Sequence, residues 1–214
     1  MEQACLVTGK SSELLARVVD ETAARDRAVL VARSGPLETF TPPEGTSTVS
    51  WNRRSALSAR SVVLHGQNLH GRLAEAVVVF SPVRESVPFH DSSIVSVENR
   101  TDAEVKGYLF MIRELVSLFQ KQGGGRLVLA VLDQASELRS PLEAMSLGSF
   151  QATAEALQRF YEQEPIEIRL CYSRSDDPAG YAGFIVDTLT APRARRQRNE
   201  WLRYGSRGGF FFRP

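Results

Sequence analysis

Arg126-Leu-Val-Leu-Ala-Val-Leu132 carries an unbroken apolar run from Leu127 to Leu132, set between Gly123-Gly-Gly125 with Arg126 and Asp133. A strand that carries no polar alternation is covered on both faces, as in a parallel sheet with helices above and below. On its N-terminal side, from Thr101, the residues Val105, Leu109, Ile112, Leu115, Val116 and Phe119 recur at helical spacing, and the glycines stop that helix. On its C-terminal side, residues 141–163 predict a second helix whose apolar stripe is Phe150, Ala154, Leu157 and Phe160/Tyr161. Helix, doubly buried strand, helix is the grammar of an α/β fold.

The same grammar extends outward in both directions. Ile166, Ile168, Leu170 and Tyr172 alternate with Glu167, Arg169 and Cys171, a strand pattern, and Pro178 opens a last helix carrying Tyr181, Ile185, Val186 and Leu189. Toward the N-terminus, Glu75–Phe80 contains Val77-Val-Val79 and reads as a strand ended by Pro82. Residues 84–100 read as loop and the first turns of a helix, residues 55–70 as a weakly periodic helix, and Thr48–Trp51 as a short strand. Residues 34–47 are a loop, because Pro42-Pro43 excludes a helix there. Ala28–Ala32 is a strand. Ser11 and Ser12 can cap a helix bearing Leu14, Leu15, Val18, Val19 and Thr22, preceded by the strand Ala4-Cys-Leu-Val-Thr8 that Gly9 stops. The expectation is a single Rossmann-like domain over residues 1–192, a doubly wound parallel sheet in three α/β/α layers, followed by an Arg- and Phe-rich tail over residues 193–214.

Composition agrees with one such domain. The 214 residues are 43% hydrophobic and 24% charged, which excludes a collagen, a coiled coil or a wholly disordered chain. No apolar run reaches the roughly 20 residues of a membrane span. The first residues lack a basic segment followed by an apolar one, so no signal peptide is expected. Cys5 and Cys171 lie in strand-like runs and read as buried free thiols in a reducing, cytoplasmic setting. No repeat of 20–50 residues is evident. The tail holds seven arginines and one acid, a net +6; the whole chain is +1, which leaves −5 for residues 1–192. No metal site is expected, because His65 and His70 are five residues apart and do not share a helical face. Gly9-Lys10-Ser11 is not a P-loop, since Ala4 stands where that motif needs its first glycine.

The order of elements, with Leu6-Val-Thr-Gly9 closing the first strand, resembles the short-chain dehydrogenase/reductase family over roughly residues 3–190. Gly125-Arg-Leu-Val-Leu-Ala-Val-Leu132 is similar to that family's Gly-x-Ile-Val-Asn-Ile-Ser-Ser strand, Val105-Lys-Gly107 to its central Asn-containing helix, and Leu147-Gly-Ser-Phe-Gln151-Ala-Thr-Ala to its Tyr-x-x-x-Lys helix. Ile166-Glu-Ile-Arg-Leu170 and Asp177-Pro-Ala-Gly-Tyr-Ala182 are similar to the strand and helix that follow.

The resemblance implies a dinucleotide-dependent reductase, and the residues that do that work are replaced. The phosphate turn Thr-Gly-x-x-x-Gly-x-Gly reads Thr8-Gly9-Lys10-Ser11-Ser12-Glu13-Leu14-Leu15, with one glycine of three. Glu13 sets a carboxylate near the phosphates, and Leu15 adds bulk where helix and strand pack closely. Phe80-Ser-Pro-Val83 replaces Asn-Asn-Ala-Gly and sets a ring where adenosine or ribose would lie. The catalytic Asn, Ser, Tyr and Lys match Glu104, Leu132, Leu147 and Gln151, and a one-residue shift puts Asp133 at the Ser position. Leucine exchanges no proton, and glutamine carries no charge to lower a phenol's pKa. No other tyrosine has a lysine four residues later, and Cys171–Asp177 leaves no room for a substrate lid. Thr8, Gly9, Lys10, Arg33 and Phe80 are the remnant of a pocket; Arg33 reads either as an NADP-selecting arginine or as a surface residue at a strand end.

The expectation is therefore a non-catalytic relative, a pseudoenzyme without cofactor that acts as an assembly or interaction subunit. Two alternatives stay open: an NAD(P)-dependent reductase that uses Asp133 or Glu104, and a module that binds the dinucleotide without turnover. In the family, the helices matching 102–121 and 141–163 form a four-helix bundle between subunits. Tyr108, Phe110, Met111, Leu118 and Phe119 are apolar residues available for such a homodimer or heterodimer. The tail, with Trp201, Tyr204 and Phe210-Phe-Phe212 among its arginines, reads as an edge strand on the body, as a docking segment for a protein partner, or as a nucleic-acid or anionic-surface contact. The acidic body speaks against nucleic acid. No membrane contact is expected.

Overall fold

The computed structural model describes residues 3–35, 42–84, 87–134, 139–192 and 200–205. Seven strands form one parallel sheet: β1 (Ala4–Lys10), β2 (Ala28–Ser34), β3 (Ser47–Ser50), β4 (Leu73–Phe80), β5 (Gly125–Leu132), β6 (Ile166–Ser173) and β7 (Trp201–Tyr204). Their order across the sheet is β3-β2-β1-β4-β5-β6-β7. Among the described residues the α-helices are α1 (Glu13–Ala23), α2 (Ala56–His70), α3 (Ile94–Arg100), α4 (Gly107–Lys121), α5 (Pro141–Phe160) and α6 (Pro178–Thr190). Strand side chains alternate between two apolar layers. Leu6, Leu30, Val78, Phe80 and Leu129 face the layer of α2, α4 and α5, whereas Val7, Val31, Val77 and Val128 face that of α1 and α6. This is the doubly wound, single-domain architecture that the uniform strands dictate.

Helices start where their caps sit. The hydroxyls of Ser12, Ser55, Ser93 and Ser140 each accept a bond from a first-turn N–H, and the Asp177 carboxylate does so for α6. Helix α3 runs into α4 through a π-helical segment, Thr101–Lys106. The buried face of this long helix is Glu104, Tyr108, Met111, Leu115 and Phe119. Ile112, Leu115, Val116 and Phe119 of the stripe read in the sequence are buried as expected, whereas Leu109 is left 41% exposed. At the start of the helix Glu104 is buried as an ion pair with Arg100, at 3.1 Å, so an acid sits on the core face there. Tyr108, Met111 and Phe119 are thus core, which corrects their assignment as surplus for an interface. At the end of α5, Gln158 turns inward and donates to the Ile168 carbonyl at 2.9 Å, while Phe160 is 79% exposed.

Part of the tail joins the sheet. β7 pairs in parallel with β6, Leu170 opposite Trp201 through Ser173 opposite Tyr204. The Tyr204 hydroxyl donates to Asp177 at 2.7 Å, and its ring stacks on Tyr181. The arginines 193, 195, 196 and 198 and the phenylalanines 210–212 lie outside the described residues.

A ladder of charges closes the opposite edge, at the N-terminal ends of the strands. Glu75 accepts from Arg27 at 2.6 Å and meets Arg126 at 3.5 Å; Arg126 donates to Glu167 at 3.1 Å, and Glu167 accepts from Arg169 at 2.8 Å. Helix α6 has no basic residue in its last turn. Its final carbonyls are instead met from the sheet, Leu189 by Arg126 at 2.6 Å and Thr188 and Ala191 by Arg169. Both cysteines are buried free thiols. Burial pushes the Cys171 thiol up to about 12 and Cys5 higher still. Neither is expected to react with a thiol reagent in the folded protein at pH 8, and both should react once denaturant is added.

Candidate functional site

In an open parallel sheet, ligands bind beyond the carboxyl ends of the strands. Two sets of side chains occupy that edge. The first lies over β2, β1 and β4. Gly9 pairs with Arg33 on one side and Val79 on the other, so Thr8, Gly9, Lys10 and Arg33 lie together at this end of β1 and β2. A Cβ on Gly9 would stand 2.7 Å from the Val79 carbonyl, so strand packing alone demands glycine here. Thr8 is fully buried. Arg33 is 5% exposed, which overturns the surface reading of that residue. Lys10 is half-buried, and burial lowers its ammonium pKa; Glu104 opposes that effect, and Arg53 and Arg100 add to it.

Phe80 belongs to neither edge nor pocket. Its ring turns into the α4/α5 layer, stacked on Phe150 with centroids 4.6 Å apart and edge-on to Tyr108 at 5.0 Å. That corrects the expectation of a ring lying over the nucleotide position. The Tyr108 hydroxyl donates to the Val79 carbonyl at 3.3 Å, and its ring meets Trp51 edge-on at 5.5 Å. The Arg53 guanidinium lies 5.9 Å from the same ring. A Cβ on Gly107 would collide with the Arg53 carbonyl, so this glycine admits the turn after β3 against α4.

The second set surrounds a cleft of about 390 Å³ between α5 and the ends of β5, β6 and β7. Leu147 and Gln151 both line it, as the family register implies for Tyr and Lys. Of the two candidates at the Ser position, Asp133 lines the cleft, whereas Leu132 packs in the opposite layer with α1 and α6. Glu104 lies elsewhere, buried beside Arg100 and Tyr108. The cleft thus gathers Asp133, Leu147 and Gln151, while Leu132 and Glu104 lie outside it.

Asp133 is 1% exposed and is engaged as a hydrogen-bond acceptor. The Tyr172 hydroxyl donates at 2.5 Å, Arg139 bonds both carboxylate oxygens, and Arg174 Nε approaches to 3.4 Å. Arg174 Nε also reaches the Tyr172 oxygen at 2.9 Å. Burial pushes the Tyr172 phenol up, and its bond to Asp133 adds to the shift. The Arg203 guanidinium sits 5.4 Å over the Tyr172 ring, and Trp201 meets that ring edge-on. Trp201 Nε1 donates to Glu155 at 2.8 Å. Sequence reading did not single out Arg139, Tyr172 or Arg174. The period of two along β6 is the one local signal that Tyr172 and Arg174 share a face. Among the described residues no cluster of His, Cys, Asp and Glu could hold a metal ion. No described helix is long and apolar enough to cross a membrane.

No known family profile matches the chain. An uncharacterized protein of Treponema pallidum (strain Nichols) is 23% identical over 171 residues, spanning 78% of this chain and 77% of that protein. A short chain dehydrogenase from Mycobacterium smegmatis superposes with a TM-score of 0.77 at 12% identity, over 97% of this chain and 93% of that one. A short-chain dehydrogenase from Streptomyces avermitilis gives 0.74 at 14% identity, over 95% and 88%. A metagenomic short-chain oxidoreductase in complex with NADP gives 0.74 at 13% identity, over 89% and 91%. The resemblance read in the sequence holds at the level of architecture: the chain has the fold of the short-chain dehydrogenases/reductases.

Proposed function

We propose that this chain is a non-catalytic protein on the dehydrogenase scaffold, acting as an assembly or interaction subunit. The observation that carries the reading is the chemistry of the cleft. A reductase of this fold needs a phenol whose pKa is lowered by an ammonium. The resemblance in sequence matches Leu147 and Gln151 to the tyrosine and lysine positions, and both line this cleft. The phenol that lines the cleft, Tyr172, is hydrogen-bonded to a carboxylate and pushed the other way. Asp133 is held by two guanidinium groups, and Glu104 is buried against Arg100, so neither carboxylate is placed as a free proton acceptor.

The β1–α1 turn does not suit a dinucleotide pyrophosphate. The Ser12 hydroxyl takes the Leu15 N–H at 3.2 Å, and Ser11 is bonded to the Ser34 carbonyl. Glu13 puts an acid in the first turn of α1, where an anion would approach. Leu15 is buried in the α1/α6 layer at the third glycine position. These features support a chain that binds no dinucleotide at this turn.

The interaction role rests on the outer faces of α4 and α5. They enclose an apolar groove of about 380 Å³ lined by Leu109, Ile112, Val116, Leu157 and Tyr161. We assign this groove to self-association or to a related subunit. Light scattering of the full chain is expected to give a dimer, and the double variant Leu109→Glu/Leu157→Glu a folded monomer. A monomeric wild-type chain at about 50 μM, far above the Kd of a stable dimer, would remove self-association and leave only a related subunit as occupant.

A further inference from the structure

We propose that the cleft between α5 and β5–β7 is a binding site for a small oxyanion, a carboxylate or a phosphoryl group carried on a compact apolar body. This goes beyond the assembly role and does not depend on it. Three guanidinium groups converge on the cleft, from Arg139, Arg174 and Arg203, each supplied by a different segment of the chain. Two carboxylates face them, Asp133 and Glu155. Both carboxylates are already engaged from within the protein. Asp133 accepts from Tyr172, Arg139 and Arg174, and Glu155 accepts from Trp201 and meets Arg159 at 3.8 Å.

The arginines are used only in part. Arg174 spends its Nε on Asp133 and Tyr172, and its side chain is 70% exposed. Arg203 sits with its guanidinium carbon 5.4 Å over the Tyr172 ring and is exposed, and a contact with the ring's π face uses none of its five N–H donors. These two forks suit the planar geometry of a carboxylate or phosphate, and charge-assisted bonds of this kind are the strong ones. Asp133 anchors the site without neutralising it, because it fixes Arg139 and the Arg174 Nε while the outer forks stay positive. Leu147 and the Trp201 ring supply apolar wall. The volume of about 390 Å³ falls within the range of small-molecule sites and is too small for a folded partner.

The test uses the full chain with phenyl phosphate, benzoate and inorganic phosphate as probes, at ionic strength held constant with chloride. Thermal denaturation and tryptophan emission are read together, since Trp201 lines the cleft. Saturable stabilisation with a change in emission is expected from phenyl phosphate or benzoate. Arg203→Ala and Arg174→Ala should each weaken it by about tenfold or more, as loss of a charge-assisted bond implies. Both arginines are exposed, so these variants should fold, and Arg17→Ala, on α1, should leave binding unchanged. A response to both phosphates but not benzoate identifies a phosphoryl ligand; the reverse identifies a carboxylate. No saturable effect up to about 10 mM, weaker than any Kd of use to a cell, overturns the proposal. So does an effect that survives both arginine substitutions. A response to dinucleotides alone would count against the non-catalytic reading as well, whereas failure of every probe counts against the cleft only.

Discussion

Phe80→Ala is expected to lower the unfolding free energy by about 3–5 kcal/mol, the range for emptying a buried aromatic site. The ring is fully buried at the end of β4. It stacks on Phe150 and supports Tyr108, which in turn meets Trp51 and Phe150. Each such aromatic pair adds about 0.5–1.5 kcal/mol beyond area burial. Four rings from β4, α4, α5 and the turn after β3 hold one another, so the cavity cannot close by moving one side chain. In a chain of this size the melting temperature should fall by about 6–20 °C. Phe80→Leu refills most of the volume and should cost less than half as much. Urea denaturation of both variants checks this. A loss below about 1 kcal/mol for Phe80→Ala would mean that the ring is not packed as described.

Arg126→Ala is expected to cost about 3 kcal/mol, toward the lower end for breaking a buried ion pair. The guanidinium bridges Glu75 and Glu167 on the neighbouring strands and also caps the Leu189 carbonyl of α6. Arg27 and Arg169 remain to pair with the two glutamates, which is why the effect does not reach the top of the range. The double variant Arg126→Ala/Glu167→Gln should be less damaged than the sum of the two single changes, because it removes the carboxylate that the first change strands. Strict additivity in this cycle would show that Arg126 and Glu167 are not coupled.

How much of this was readable depends on what each element buries. β5 could be read because both its faces are apolar; the six residues Leu127–Leu132 without a polar interruption admit no other placement in an α/β chain. Strand β7 offers no such pattern. It is four residues long, lies at the edge, and has only Trp201 and Tyr204 turned toward the body. On α4 the stripe Ile112, Leu115, Val116 and Phe119 is buried as its spacing predicts, and Leu109 is not. A charged residue, Glu104, occupies the core side at the start of this long helix, and its pairing with Arg100 is a tertiary fact that hydropathy does not report. The burial of Arg33 at the end of β2 is likewise invisible to hydropathy.

The cleft divides along similar lines. Leu147 and Gln151 lie four apart on α5, so helical geometry puts both on one face. Asp133 and Leu132 differ by one residue on adjacent faces of the sheet, and only the fold decides which one lines the cleft. Arg139, the pair Tyr172 and Arg174, and Arg203 reach the site from three separate segments. No local period links a residue of β5's following turn to residues of β6 and β7. The shared burial of β6 and the pairing of β7 bring them together.

The central claim, that the dehydrogenase scaffold here has lost its dinucleotide chemistry, is tested most directly by thermal denaturation of the full chain with NAD, NADH, NADP and NADPH. At about a hundred times a typical dissociation constant, a ligand that binds only the native state adds roughly 2.7 kcal/mol, a rise of about 5–10 °C. The account predicts no rise with any of the four. A saturable rise with one of them, abolished by Lys10→Glu at the β1–α1 turn, would contradict it.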